Sequence, residues 1–182
     1  IQGLHECCEF LMLFDKGDYS ENHTFSISEL FSHLPKDVLS ANFGCHESAF
    51  DKIPTEEVYI TDGGDPGTLE SQTIQSPYGN VPNTYKHELI NVEPMQCEGG
   101  CIRILDNRNF PACNTVACAM VEVEPGAMRE IHWHTNNDEF QYYIQGEARM
   151  TVFMPGPKAR TFNYRAGDVG YVPVGGFHYV QN

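Results

Sequence analysis

Basic side chains are scarce in this sequence: 11 Lys and Arg stand against 25 Asp and Glu in 182 residues, a formal net charge of −14. With no basic patch to offset a phosphate backbone, nucleic acid is excluded as a partner. Long apolar runs are missing as well, none approaching the ~20 residues that a membrane-spanning helix needs, and no membrane partner is expected. There is no tandem low-complexity tract. Cysteine doublets at zinc-knuckle spacing are also absent. Cys97 and Cys101 enclose three residues and Cys113 and Cys118 four, so these and Cys7, Cys8 and Cys45 read as disulfides or core thiols before metal ligands. The acidic balance suits an extracellular or cell-wall setting, where carboxylates begin to neutralise, and a cytoplasmic one is compatible with it.

Apolar residues make up 41% of the chain, enough for a core in a protein of 20.5 kDa. From residue 84 onward the sequence reads as strands: 84–92, 100–110, 117–125, 129–134, 139–155 and 160–175, broken by Gly and Pro at short intervals as an all-β, double-sheet barrel requires. Met150, Val152 and Met154 alternate cleanly, and these methionines with Phe140, Tyr142 and Tyr143 are candidates for barrel core or, less simply, a cavity lining. Between 24 and 44 the period changes. Ser26 with Glu29 forms a capping box ahead of Leu30, Phe31 and Leu34, and Pro35 opens a second short helix with Val38, Leu39 and Phe43 before Gly44. Residues 45–83 are rich in Gly, Pro, Asp, Thr and Ser and read as a linker, packed down by Tyr59, Ile60, Ile74 and Tyr78.

The densest chemistry lies in the last third. Gly126, His132, His134, Glu139 and Gly146 form one group, and after twenty residues Gly167, Pro173, Gly175, His178 and Asn182 form another. A strand alternates faces, so His132 and His134 aim at one point and Trp133 points away. The polar run 135–138 turns the chain so that Glu139 brings a carboxylate from the next strand. His178 then arrives from a distant strand, beyond the turn at Pro173, Gly175 and Gly176. Three imidazoles and a carboxylate suit a divalent ion with open positions for oxygen ligands, such as manganese or iron, and also accept zinc, nickel or copper. Arg129, three residues before His132, places a guanidinium where it can pair with the free end of a small diacid or with Glu130.

With both groups in place, the sequence resembles the cupin family, and the strings at 20–24, 32–44, 85–94 and 126–146 resemble the fungal branch of its two-cupin oxalate decarboxylases over nearly the whole chain. The resemblance implies a double-stranded β-helix, or jelly-roll barrel, with a short helical excursion. It assigns residues 1–44 to the end of a first cupin, 45–83 to an inter-cupin linker and 84–182 to a second cupin truncated at its C-terminus, so the chain is expected to be the middle of a longer protein. If expressed alone, it is expected to expose unpaired edges, with residues 6–14 as an unpartnered hydrophobic strand.

The same resemblance implies Mn(II) held by His132, His134, Glu139 and His178, oxalate as substrate with Arg129 on its far carboxylate, and dioxygen as co-catalyst. Glu21, in the pentapeptide 20–24, would be the acid of a mobile lid over the first cupin's manganese, supplying the proton of formate there; the bland reading of the residue is a capping or solvated acid. Desolvation beside an anionic substrate favours the protonated form such a role needs. The family usually has serine where His23 stands. Asn22-His23-Thr24 is also a glycosylation sequon, expected to be empty if the lid role holds. A homo-oligomer, trimer or hexamer, would interlock through helices between 26 and 42. Two alternatives stay open: an oxalate oxidase or other metal-dependent cupin oxygenase on the same four ligands, and a storage or binding cupin in which the barrel is a scaffold. The cysteines together with the resemblance favour a secreted enzyme.

Overall fold

Glycine and proline punctuation cuts residues 95–181 into nine strands, all antiparallel, in a computed structural model that describes residues 1–4 and 6–182. The chain divides into two units, Ile1–Asn80 and Val81–Asn182.

The second unit holds three sheets. In the first, β1 (Met95–Cys97), β2 (Gly100–Leu105) and β3 (Cys118–Val123) run in that order. The second contains β4 (Met128–His132), β6 (Glu147–Met154), β7 (Lys158–Arg165) and β9 (Phe177–Gln181) in the order β4-β9-β6-β7. The third pairs β5 (Glu139–Tyr142) with β8 (Val169–Val172). The run 139–155 is therefore two strands, divided where Gly146 takes φ 82°, and the run 160–175 is divided likewise at Gly167, φ 92°. Only glycine enters that left-handed region without strain. Met150 lies wholly inside the second sheet's inner face, with Val172 of β8 also buried. Phe140 and Tyr142 are about half exposed, so of the three aromatics considered for a cavity lining only Tyr143 turns inward. Period 2 from Glu139 explains this, because 140 and 142 fall on the face opposite 139 and 141.

The expected strand over 84–92 does not form; its only regular element is a 3₁₀ turn at Leu89–Asn91. Thr84 bonds the Lys86 backbone in both directions, and Glu88 engages Lys86 and Asn91, so local side-chain bonds replace a ladder.

In the first unit, Ser26 caps α1 (Ile27–Ser32) by accepting from the Glu29 N–H at 3.1 Å. Pro35 precedes α2 (Lys36–Phe43), which stops at Gly44 with φ 64°. A third short helix, α3, spans Leu69–Gln72. Residues 6–14 form no strand, and Phe10, Met12 and Phe14 are about half exposed, since a lone strand with no ladder partner has nothing to fix it. The hydrophobes of residues 45–83 expected to pack down do not: Ile60 and Tyr78 are 94% and 98% exposed, and Tyr59 and Ile74 are exposed too. Asp62 and Asp65 instead bond the N–H groups of Gly64 and Gly67, the side-chain turns of an irregular segment. No helix among the described residues is long and apolar enough to cross a membrane.

Candidate metal centre

The β4–β9 register builds one wall of the site. Arg129 faces Val180 and His132 faces His178, so three steps on β4 match two on β9. This bulge changes the alternation: residues 129 and 132, which a regular strand would point to opposite faces, both turn to the face that carries Val180 and His178. His178 also pairs with Val152 of β6, which sits two residues from Met150 on the same inner face, and the imidazole is 1% exposed. Trp133 points away and packs on Phe177 of the outer face at 4.7 Å.

His134 lies just beyond β4. Its carbonyl accepts from the Gly175 N–H at 2.9 Å, and Asp138 accepts from the Val174 N–H at 2.6 Å. These two bonds pin the 133–138 loop to the β8–β9 turn and deliver Glu139 as the first residue of β5. Sequence reasoning missed Asp138 as a clamp; an aspartate in a turn run carries no signal of which distant N–H it will meet.

One side-chain atom from each of His132, His134, Glu139 and His178 lies within 4.8 Å of the others. Nδ1 of His132 donates to the Glu130 carbonyl at 2.7 Å and Nδ1 of His178 to that of Gly176 at 3.1 Å. Such backbone contacts fix the ring orientation of metal-binding histidines and leave Nε2 inward. Nε2 of His134 and of His178 sit 2.7 Å and 3.1 Å from the same Glu139 Oε2. Donors packed this tightly around one carboxylate oxygen share either a proton or a cation, and the set fits a divalent ion.

The electrostatics follow from the same contacts. Burial alone would raise the Glu139 carboxyl, but hydrogen bonds from His178 and Gln141 and the charge of His178 outweigh it and hold the pKa down to about 2. Burial works against charge on His178, yet the Glu139 carboxylate and the Gly176 carbonyl leave its pKa raised. On His132 burial prevails, with Arg129 adding to it, and the pKa is lowered. Arg129 is partly exposed and meets Glu130 at only 3.9 Å, a loose surface pair.

Glu21 belongs to the first unit, on an exposed 3₁₀ turn, Glu21–His23, where the Tyr19 hydroxyl donates to its carboxylate. Gln141 and Tyr143, both inward on the Glu139 side, were not singled out for the site, although their period-2 spacing from Glu139 was the available signal. All seven cysteines are free thiols; Cys101, Cys113 and Cys118 are half-buried, whereas Cys7, Cys8, Cys45 and Cys97 are exposed and so are neither disulfides nor core thiols.

Residues 89–182 match the cupin family. Oxalate decarboxylase OxdC of Bacillus subtilis (strain 168) is 50% identical over 182 residues, all of this chain and 47% of the relative. A probable oxalate decarboxylase of Arthroderma benhamiae is 38% identical over 187 aligned residues, all of this chain and 45% of that protein. The chain thus spans about half the length of the curated relatives it matches. Among solved structures, a B. subtilis oxalate decarboxylase studied for its Mn(II) centres superposes with a TM-score of 0.86 and 49% identity, over 91% of this chain and 44% of that one. A Lactobacillus farciminis oxalate decarboxylase in complex with formate gives a TM-score of 0.86 and 41% identity, over 91% and 49% of the two chains.

Proposed function

The chain belongs to the cupin family, and from that premise we propose that it carries the second metal centre of a manganese-dependent oxalate decarboxylase, a carbon–carbon lyase converting hydrogen oxalate to formate and carbon dioxide. The observation that carries this reading is the convergence of His132, His134, Glu139 and His178 on one point, in a chain half identical to B. subtilis oxalate decarboxylase OxdC.

His132 and His178, oriented by the Glu130 and Gly176 carbonyls, and His134 and Glu139 would hold Mn(II). When bound, Mn(II) supplies a Lewis acid and a one-electron couple, with dioxygen as co-catalyst. Arg129, turned to the same face by the bulge, exchanges its loose contact with Glu130 for the far carboxylate of oxalate, a bidentate pairing that sets the diacid's orientation. Glu21 is assigned to the other centre, as the lid acid over the preceding cupin's manganese, where it would give its carboxyl proton to the carbon that becomes the C–H of formate, with the Tyr19 hydroxyl holding that carboxyl. The oxalate C–C bond and the acid's O–H bond are broken, the C–H bond is made, the acidic proton of hydrogen oxalate restores the acid, and no net electrons are exchanged.

In this reading the three sheets belong to a jelly-roll barrel of residues 84–182, residues 1–44 end a preceding cupin and residues 45–83 link the two. The full protein is a homo-oligomer, trimer or hexamer, joined through α1 and α2, whose apolar residues Ile27, Leu30 and Val38 are exposed. It resides outside the cell or in the cell wall, a setting that the acidic composition suits.

Elemental mass spectrometry of the native protein together with product analysis on oxalate at about pH 4–5 tests the reading. Manganese with one formate per carbon dioxide is expected. Hydrogen peroxide in place of formate would make it an oxidase, and absence of metal would leave a scaffold.

A further inference from the structure

We propose that Gln141 is a positioning residue of the metal centre, locked by Tyr143 and given room by Gly170, and that it dictates which oxygen of Glu139 meets the ion; the inference rests on reading the four-residue cluster as a metal site. Gln141 Nε2 donates to Glu139 Oε1 at 2.6 Å, and the Tyr143 hydroxyl donates to Gln141 Oε1 at 2.8 Å. A carboxylate only accepts, and the amide oxygen is already taken by the phenol, so the amide has a single orientation. Tyr143 is itself fixed by stacking on Tyr164, ring centroids 4.4 Å apart and 13° from parallel.

The two oxygens of Glu139 therefore have separate tasks. Oε1 is occupied by Gln141, while Oε2 alone faces Nε2 of His134 and His178. With Gln141 in place the carboxylate offers the ion one oxygen. Without it, the group rotates and offers both, filling a coordination position that a substrate oxygen would use.

Gly170 completes the arrangement. It stands opposite Gln141 in the β5–β8 pair, and a Cβ there would lie 2.7 Å from Gln141 Oε1 and 3.4 Å from Tyr164 Cε1. Its φ is not among the positive ones, so space for the amide, rather than backbone freedom, is what the position requires.

The test is Mn(II) titration of the metal-stripped full-length protein, followed by electron paramagnetic resonance, with the signal of this centre identified by its loss in His134→Ala. Gln141→Leu should weaken that Mn(II) class about ten-fold or more and alter its line shape. Tyr143→Phe should weaken it a few-fold, and Gly170→Ala should shift the line shape in the direction of Gln141→Leu with every polar group retained. Wild-type affinity and line shape in both Gln141→Leu and Tyr143→Phe would overturn the proposal, and if Gln141→Leu does not fold, Tyr143→Phe decides alone. If His134→Ala removes no signal, it is the metal-centre reading that fails, an outcome distinct from the previous one.

Discussion

The two units of this chain are organised by opposite means. In residues 81–182 a wholly buried histidine, a buried methionine and a buried valine sit where strands distant in sequence come into register. In residues 1–80 Leu39 is the only buried hydrophobic side chain among those described, and the visible order is local: a Ser26 cap, a glycine stop at Gly44 and aspartate turns at Asp62 and Asp65. Local devices fix short elements but gather no remote donors. A four-residue donor set needs the long-range ladders, which is why the candidate centre lies in the second unit while Glu21 sits on an exposed turn of the first.

The contrast breaks most visibly at His178. His178→Ala removes the most buried donor, and we expect manganese affinity at this centre to fall about a hundred-fold or more, measured by equilibrium dialysis with elemental analysis. Retention of the metal would mean that the ladder does not build the site. Next in size, Met150→Ala should destabilise the second unit by about 2–5 kcal/mol, whereas Leu30→Ala, at a position 51% exposed, should cost well under half of that. Denaturant melts followed unit by unit would show the asymmetry, and equal losses would erase it.

Ser26→Ala is expected to cost about 1 kcal/mol and to speed hydrogen exchange in α1 alone, since the cap it removes serves only that helix. In the metal-free protein, Glu139 has a pKa held at about 2 against an ordinary 4.5. A depressed carboxyl contributes stability that is present above the ordinary value and lost as pH falls through the folded one. Wild type should therefore lose stability between about pH 4.5 and 2 relative to Glu139→Gln, and parallel melting curves over that range would refute the assignment. The smallest effect is expected at Lys36, whose exposed pair with Asp51 at 2.7 Å should contribute less than about 1 kcal/mol when tested by Lys36→Met.

Sequence pattern carried much of this. The H-x-H alternation put His132 and His134 inward and Trp133 outward, and the capping box at Ser26 marked the start of α1. The bulge between Arg129 and His132 was not legible, because it arises from a mismatch with β9, fifty residues away, and leaves no local mark. The same holds for the amide chain from Glu139 to Tyr143: residue types and spacing were visible, but which of two faces received the hydrogen bonds depended on β8 supplying Gly170. At 84–92 pattern misled, since Thr84 bonds the Lys86 backbone and Glu88 accepts from the Lys86 and Asn91 side chains, all locally.

The most direct test of the central claim is anomalous diffraction at the manganese edge from crystals of the full-length protein grown with Mn(II). A peak bound by Nε2 of His132, His134 and His178 and by Oε2 of Glu139, with Oε1 turned to Gln141, is expected. No peak among these four side chains, with manganese present elsewhere in the crystal, would contradict it.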